Sequence, residues 1–542
     1  MRLYPSKLDL TPFAHSVCFG GQGRPGRRAR RCRAKGEGDV AAYLLSIDQG
    51  TTSSRATLFT PQGRAIASAA RTLAQHYPQP GWVEHDPEEI WQGVLACLKE
   101  LLASGAARLG EIAGIGITNQ RETTVVWERA TGRALHRAIV WQDRRGAGQT
   151  EALQRAGLEA LVRGRTGLLL DPYFSASKIA WLLENIEGLR GRAERGEVCF
   201  GTIDSWLVFR LSGGRSHVSD LSNASRTMLF NIHELCWDEE LLRIFGVPRA
   251  MLPEVLPSTA LFGRTEASLL GAEIPITGIA GDQQAALFGQ GCFEPGMAKV
   301  TFGTGAFVVM NCGPCGVPGE GVLTTIAWQL PGEKVCYALE GSIFIAGAAV
   351  QWLAEGLGLF QDASQVEALA RSVPDSGGVY FVPALSGLGT PYWDPHARGV
   401  ITGLTRGSTG AHLARASLEA IAFQTVDAIR AMERASGHGL KDLRVDGGAA
   451  ANDLLLELQA DLLGAPVLRP RCTETTSLGA AYLAGIGTGL LDIDSIRKNW
   501  ELDRTFVPGM AAQTRDELYR GWERSVRLSL GWAREAETKT GA

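Results

Sequence analysis

From residue 43 onward, short apolar runs alternate with stretches of helical periodicity, and the runs repeatedly end on polar turns centred on glycine. The first case is Tyr43-Leu-Leu-Ser-Ile-Asp-Gln-Gly-Thr-Thr-Ser-Ser-Arg-Ala-Thr-Leu-Phe59: an apolar run, a tight turn at Gly50, then a second apolar run. It predicts a β-hairpin. Residues 112–118 predict a strand that ends on Asn119-Gln-Arg-Glu122, and strand character resumes over 123–127. A helix is predicted over 177–185. Another apolar run, 276–280, ends on Gly281-Asp-Gln-Gln284 before a helical segment, 285–290.

Near the middle the opening pattern returns. Lys299-Val-Thr-Phe-Gly-Thr-Gly-Ala-Phe-Val-Val-Met310 again reads strand, glycine turn, strand. A third turn, Asp446-Gly-Gly-Ala-Ala-Ala-Asn452, leads into a predicted helix over 453–463, and the chain closes on a predicted amphipathic helix over 511–537. Alternating strands and helices imply an α/β fold. The echo of the first hairpin implies two similar halves, 41–292 and 293–542, divided at the Gly/Pro punctuation of 293–296.

The chemistry suggested by the first hairpin is specific but not unique. Backbone N–H groups around a glycine turn make an anion-binding nest. A carboxylate beside such a nest, Asp48 here, makes sense when a divalent cation sits between it and a phosphate. A Mg-nucleotide site and an ordinary polar hairpin both satisfy these residues taken alone. The strand-to-helix turn at Asp446 also suits a nucleotide.

Bulk properties narrow the classes. The 542 residues suffice for two to four domains, and 45% hydrophobic with 20% charged residues is a globular composition. Net charge is −3, yet residues 1–40 hold nine Lys or Arg against three acids, a net of +6, so the remainder is mildly acidic and gives no reason to expect nucleic-acid binding. The basic extension lacks the apolar segment of a secretory signal. It reads as a disordered tail, with a transit peptide, a nucleic-acid arm or a translation start near Val40 as alternatives. No run approaches the ~18 apolar residues of a membrane span. Ten cysteines without framework spacing suit a reducing cytoplasm. Cys312-Gly-Pro-Cys315 matches a redox dithiol, but Gly-Val-Pro-Gly follows it instead of a helix start, and no second pair supports zinc.

With three glycine turns in view, the chain resembles the FGGY carbohydrate kinases of the actin-like ATPase superfamily. Two stretches carry the resemblance: Tyr173-Phe-Ser-Ala-Ser-Lys-Ile-Ala-Trp-Leu-Leu-Glu-Asn185, and the segment from Gly399-Val-Ile-Thr-Gly-Leu404 to His412-Leu-Ala-Arg-Ala-Ser-Leu-Glu419. Ile117-Thr-Asn-Gln-Arg-Glu-Thr-Thr-Val-Val-Trp127, Asn223-Ala-Ser-Arg-Thr-Met-Leu-Phe-Asn231 and Gly278-Ile-Ala-Gly-Asp-Gln-Gln-Ala-Ala-Leu-Phe-Gly-Gln290 resemble the branch that phosphorylates glycerol. The resemblance implies two actin-like (ribonuclease H-like) lobes with a cleft between them, ATP and Mg²⁺, and a cytoplasmic homo-oligomer.

It also implies roles. Asp282 is the expected general base, although an aspartate there could instead serve as a helix N-cap. Arg121, Glu122, Tyr173 and Gln283 are expected to bind the polyol with Thr51 and Asp282, and Phe307 to lie against its carbon skeleton. The bland alternatives are a surface Arg121–Glu122 ion pair and a core aromatic at Phe307. Thr51, Thr52, Ser53, Arg55 and Thr304 are expected on the phosphates. Gly347, Gln351, Gly448 and Asn452 are expected on the rest of the nucleotide, with Asp48 organising the metal. One departure stands out: where regulated bacterial members carry a Gly-Gly-Thr-Arg loop for fructose 1,6-bisphosphate, this chain has Glu266-Ala-Ser-Leu-Leu-Gly-Ala-Glu273, so inhibition by that sugar phosphate is not expected. The rivals are a kinase for another polyol or a ketose, and a non-catalytic sugar sensor on the same fold.

Overall fold

The computed structural model describes residues 43–316 and 319–534. The basic extension 1–40 and the readings made for it lie outside the described residues. Two mixed sheets organise the chain. The first is six-stranded, in the spatial order Gly263–Arg264, Pro275–Gly281, Ile112–Asn119, Tyr43–Gln49, Ser53–Phe59, Ala65–Thr72. The second is seven-stranded: Leu323–Trp328, Cys336–Ile343, Ala306–Gly313, Met297–Phe302, Asp442–Asp446, Val467–Pro470, Leu502–Phe506.

The sheets repeat one plan. In each, an antiparallel hairpin has its first strand paired in parallel with a later strand, which pairs in parallel with a third. The internal echo in the sequence is therefore a duplicated topology. The parallel strands are buried on both faces, as their runs of Ile, Leu, Val and Ala require. The strand ends locate the candidate site, because open α/β sheets bind ligands beyond the carboxyl termini of their parallel strands. Asp48, Arg121 and Asp282 all sit at those ends in the first sheet, with Asp48 opposite Thr118 and Gly281 opposite Asn119.

The helix Thr475–Gly487 follows residue 293 in sequence yet lies on the first sheet. The contact is between backbones. A Cβ on Gly116 would lie 2.0 Å from the Ala480 carbonyl oxygen, and one on Gly278 would lie 2.3 Å from the Ala484 nitrogen. Against the helix Asp282–Gly289 the fit is reciprocal. A Cβ on Gly289 would meet the Thr475 oxygen at 2.1 Å, and one on Gly479 the Ala285 oxygen at 1.8 Å. Gly479→Ala must therefore push apart two helices that carry site residues. A loss of about 1–3 kcal/mol is expected, read as a lower melting temperature together with reduced activity. An unchanged melting curve would show that these helices do not touch so closely.

Element boundaries differ from the sequence reading in several places: the helices read over 177–185 and 285–290 begin earlier, at Ser175 and Asp282. The last helix is Ala512–Ser529, shorter than expected: Leu530 turns extended, with ψ 138°, and Gly531 follows at φ +67°. The strand after Glu122 begins at Val125 and not at residue 123. Among the described residues, no helix is long and apolar enough to cross a membrane.

Candidate active site

The first hairpin turns as expected, with the Gly50 N–H donating to the Ser53 carbonyl at 2.9 Å. Thr52 is exposed at its tip. The Thr51 hydroxyl accepts from the Trp141 indole at 2.9 Å. Gln120 ties the hairpin to the neighbouring strand through the Gln49 side chain and the Gly50 carbonyl, at 3.1 and 3.2 Å. Arg55, opposite Asp48 in register, is engaged by Glu474 in an ion pair at the surface.

Asp48 itself is half-buried and accepts from the Ser477 hydroxyl at 2.9 Å. Burial pushes its carboxyl up to about 6, against the pull of Ser477 and Arg55 and with the Asp282 charge adding to the rise. A carboxylate facing a second carboxylate, with no cationic side chain bonded to it, is a place that a divalent cation relieves.

The second hairpin places Gly303 and Thr304 at an exposed tip. The Thr304 carbonyl accepts from the Ala346 and Ala348 N–H groups at 2.9 and 3.0 Å, which brings the helix Gly347–Glu355 onto the turn. Gly347 is needed for that approach, since a Cβ there would lie 2.7 Å from the Gly303 oxygen. The third turn joins them: Gly447 has φ +85°, and a Cβ on it would lie 2.4 Å from the Phe302 oxygen. Gly448 is exposed beside it.

Two expected nucleotide residues have partners within the protein. Asn452 caps the helix Asp453–Leu463 by accepting from the Leu455 N–H at 2.9 Å. Gln351 is exposed and donates to Glu355 at 2.8 Å. What connects the first hairpin to the third turn went unread in the sequence. Around the start of the helix Thr475–Gly487, Glu474 pairs with Arg55, Ser477 donates to Asp48, and the Thr475 hydroxyl donates to Asp446. The hydroxyl-rich run Thr473-Glu-Thr-Thr-Ser477 ahead of a small-residue helix was the available signal.

Asp282 is not a helix N-cap. Gly281 holds that place, and Asp282 is the first residue of the helix Asp282–Gly289. One oxygen, Oδ1, accepts from Arg121 Nε at 3.0 Å and from the Gln283 N–H at 2.7 Å. The other, Oδ2, accepts no hydrogen bond among the described residues, and the side chain is 29% exposed. A carboxylate held by one oxygen and open at the other is arranged to take a proton.

Arg121 and Glu122 do not form the surface pair weighed as an alternative. Both are buried. Arg121 directs its fork at Glu340 and Gln284, while Glu122 accepts from Arg226 Nε at 2.7 Å. Arg226 in turn reaches Glu340 at 2.9 Å. Glu340 and Arg226, both fully buried, were given no role in the sequence reading, although Arg226 lies within the Asn223–Asn231 stretch. The signal was a lone acid in the otherwise apolar and small strand Cys336–Ile343.

Burial alone would raise the Glu340 carboxyl, but Arg121 and Arg226 overcome it and hold it near 2. Glu122, with one arginine bonded directly, is instead raised by burial. Glu122 also adopts φ +61°, a conformation fixed by its carbonyl accepting from Ser175 at 3.0 Å and Thr124 at 3.2 Å.

Beside this charged floor stands an aromatic wall. Trp141 meets Tyr173 edge-on at 5.6 Å between ring centres and Phe307 at 6.4 Å, and the Arg121 guanidinium lies 5.9 Å from the Phe307 ring. Phe307 is half-buried and not a core residue. Apolar ring faces beside fixed donors and acceptors fit a small polyhydroxylated molecule.

Cys312 is buried at a strand end and Cys315 is exposed, and all eight cysteines among the described residues are free. Burial pushes the Cys312 thiol up to about 11, away from the thiolate that redox chemistry needs.

Comparison with known proteins supplies the remaining findings. The model of the FGGY family of carbohydrate kinases matches in its N-terminal domain over residues 43–289 and in its C-terminal domain over 298–488. A glycerol kinase of Citrifermentans bemidjiense is 73% identical over 490 residues, 90% of this chain and 99% of that protein. A glycerol kinase of Thermus brockianus is 59% identical over 91% of this chain and 99% of its own length. Among solved structures, a Plasmodium falciparum glycerol kinase with ADP superposes with a TM-score of 0.86 at 35% identity, covering 91% of this chain and 99% of that one.

Proposed function

The chain belongs to the FGGY family of carbohydrate kinases, and on that premise we propose how it acts: it transfers the terminal phosphoryl group of ATP to glycerol, giving sn-glycerol 3-phosphate, with Asp282 as general base. The observation that carries the assignment of roles is the meeting of Arg121, Asp282 and Gln283 beside the Trp141–Tyr173–Phe307 wall, at the carboxyl end of the first sheet.

The chemistry is mainly a matter of positioning and charge control. Phe307 and Tyr173 flank the carbon skeleton, while Arg121, Glu122 and Gln283 fix its hydroxyls. As the attacking oxygen bonds to the γ-phosphorus and the bond from that phosphorus to the bridging oxygen of the departing ADP breaks, the hydroxyl proton passes to the open Oδ2 of Asp282. Arg121, bonded to Oδ1, holds the carboxylate in place. Backbone N–H groups and hydroxyls of Thr51, Thr52, Ser53 and Thr304 cradle the phosphates. Gly347, Gly448 and their neighbours Gln351 and Asn452 face the rest of the nucleotide. Magnesium arriving with ATP would be held by Asp48, directly or through water, where it offsets phosphate charge. The same reading carries a cytoplasmic homo-oligomer.

An ADP-release assay across glycerol, dihydroxyacetone, erythritol and xylulose tests the proposal. The highest kcat/KM is expected for glycerol. A preference for xylulose would overturn the substrate, and glycerol binding with no ADP release would favour the sensor reading. The nucleotide side has its own test. Gly347→Ala thrusts a methyl at the Gly303 carbonyl, so it is expected to raise KM for ATP severalfold and leave KM for glycerol unchanged in steady-state kinetics.

A further inference from the structure

Lys299 lies in the strand Met297–Phe302 of the second sheet and is fully buried. The mechanism above does not use it. Its ammonium donates to Gln283 Oε1, in the helix that begins with the base, and to the Thr301 hydroxyl at 2.7 Å. A protonated lysine can only donate. The atom of the Gln283 amide that faces it must therefore be the oxygen, and the orientation that exchanges oxygen and nitrogen is excluded on chemical grounds. The amide nitrogen then points away from Lys299. It makes no hydrogen bond to any described residue, although Gln283 is only 8% exposed.

We infer that Lys299 is a positioning residue that locks the Gln283 amide, so that Gln283 meets the polyol as a donor and never as an acceptor. This rests on the reading of Gln283 as a polyol-binding residue. It adds the polarity of that contact and its origin in the other sheet. Burial lowers the Lys299 ammonium to about 8, with Asp446, Asp282 and Glu340 opposing that fall, so at neutral pH it remains the cation through which the second sheet holds Gln283 of the first. A glutamine free to flip would accept from a hydroxyl as readily as donate to one. A locked amide demands a hydroxyl oxygen with a free lone pair at that position.

The test compares three variants of the full chain by calorimetric titration with glycerol in the absence of nucleotide. Gln283→Ala removes the contact. Gln283→Glu keeps the shape and pairs with Lys299, so it folds, but it presents only acceptors. Both are expected to weaken glycerol binding about tenfold or more, the consequence of one lost hydrogen bond in a dry site. Lys299→Met is expected to weaken it in the same direction, with KM for ATP unchanged. Wild-type affinity in Gln283→Glu with a loss in Gln283→Ala would overturn the locked-donor inference alone. Wild-type affinity in Gln283→Ala would overturn the polyol reading of Gln283. If Lys299→Met fails to fold, the comparison of the two Gln283 variants decides the matter.

Discussion

Asp282→Asn is expected to lower kcat by about 100- to 10,000-fold, the usual worth of a positioned general base, while KM for glycerol and for ATP changes little. The geometry makes this substitution unusually clean. Asparagine keeps an oxygen at the Oδ1 position, so the Arg121 Nε contact at 3.0 Å and the Gln283 N–H contact at 2.7 Å survive. What disappears is the proton acceptor at Oδ2. Thermal stability should therefore stay near that of the unaltered protein, and a melting curve measured beside the kinetics separates loss of chemistry from loss of fold. Asp282→Ala is a different experiment, because it strips a partner from a buried arginine and is expected to raise KM for glycerol as well. Undiminished turnover in Asp282→Asn would remove Asp282 as the base and leave transfer to positioning alone.

Local features of the chain were legible because local physics sets them. The two hairpins announced themselves through apolar runs broken by Gly50 and by Gly303 with Gly305, and the third turn through Gly447 and Gly448. Asp282 was visible as the end of an apolar run just ahead of a helix, and its role as base came from the family resemblance. What escaped was non-local. Glu340 and Arg226 lie 114 residues apart in sequence and reveal themselves only when the second sheet folds against the segment that carries Arg226. Lys299 reads as an ordinary alternating residue until Gln283 is seen opposite it.

The placement of the helix Thr475–Gly487 on the first sheet was hidden for the same reason. Gly116, Gly278, Gly289 and Gly479 are unremarkable singly and become informative as mutually facing contacts. The alternatives for Arg121–Glu122 and Phe307 likewise turned on burial, which a motif alone does not fix. Charged residues adjacent in sequence are usually solvated, whereas these two point into separate ion pairs of one buried network.

That network supports the second large effect. Glu340→Gln is expected to destabilise the fold by about 3–5 kcal/mol, the typical cost of removing one partner from a buried ion pair, seen as a fall in melting temperature on the order of 3–5 °C. Glu340 accepts from Arg121 at one oxygen and from both Arg121 and Arg226 at the other, at 3.2 and 2.9 Å. The neutral amide leaves two buried guanidiniums sharing only Glu122 and Asp282.

The pH dependence has a definite sign. The folded carboxyl is held near 2, below its ordinary value of 4.5. Its contribution is therefore fully present above 4.5 and is lost as pH falls towards 2. The melting gap between the two proteins should be constant above pH ~5 and narrow below it. A gap that instead widened on acidification would mean that Glu340 is not the charged anchor of the pair. Function should follow stability here, because Arg121 holds Asp282 and, in the proposed mechanism, also positions the polyol. Once its fork is released, KM for glycerol is expected to rise even at temperatures where the variant is fully folded. A variant that melts early yet binds glycerol normally would separate the two roles of Arg121 and confine Glu340 to the fold.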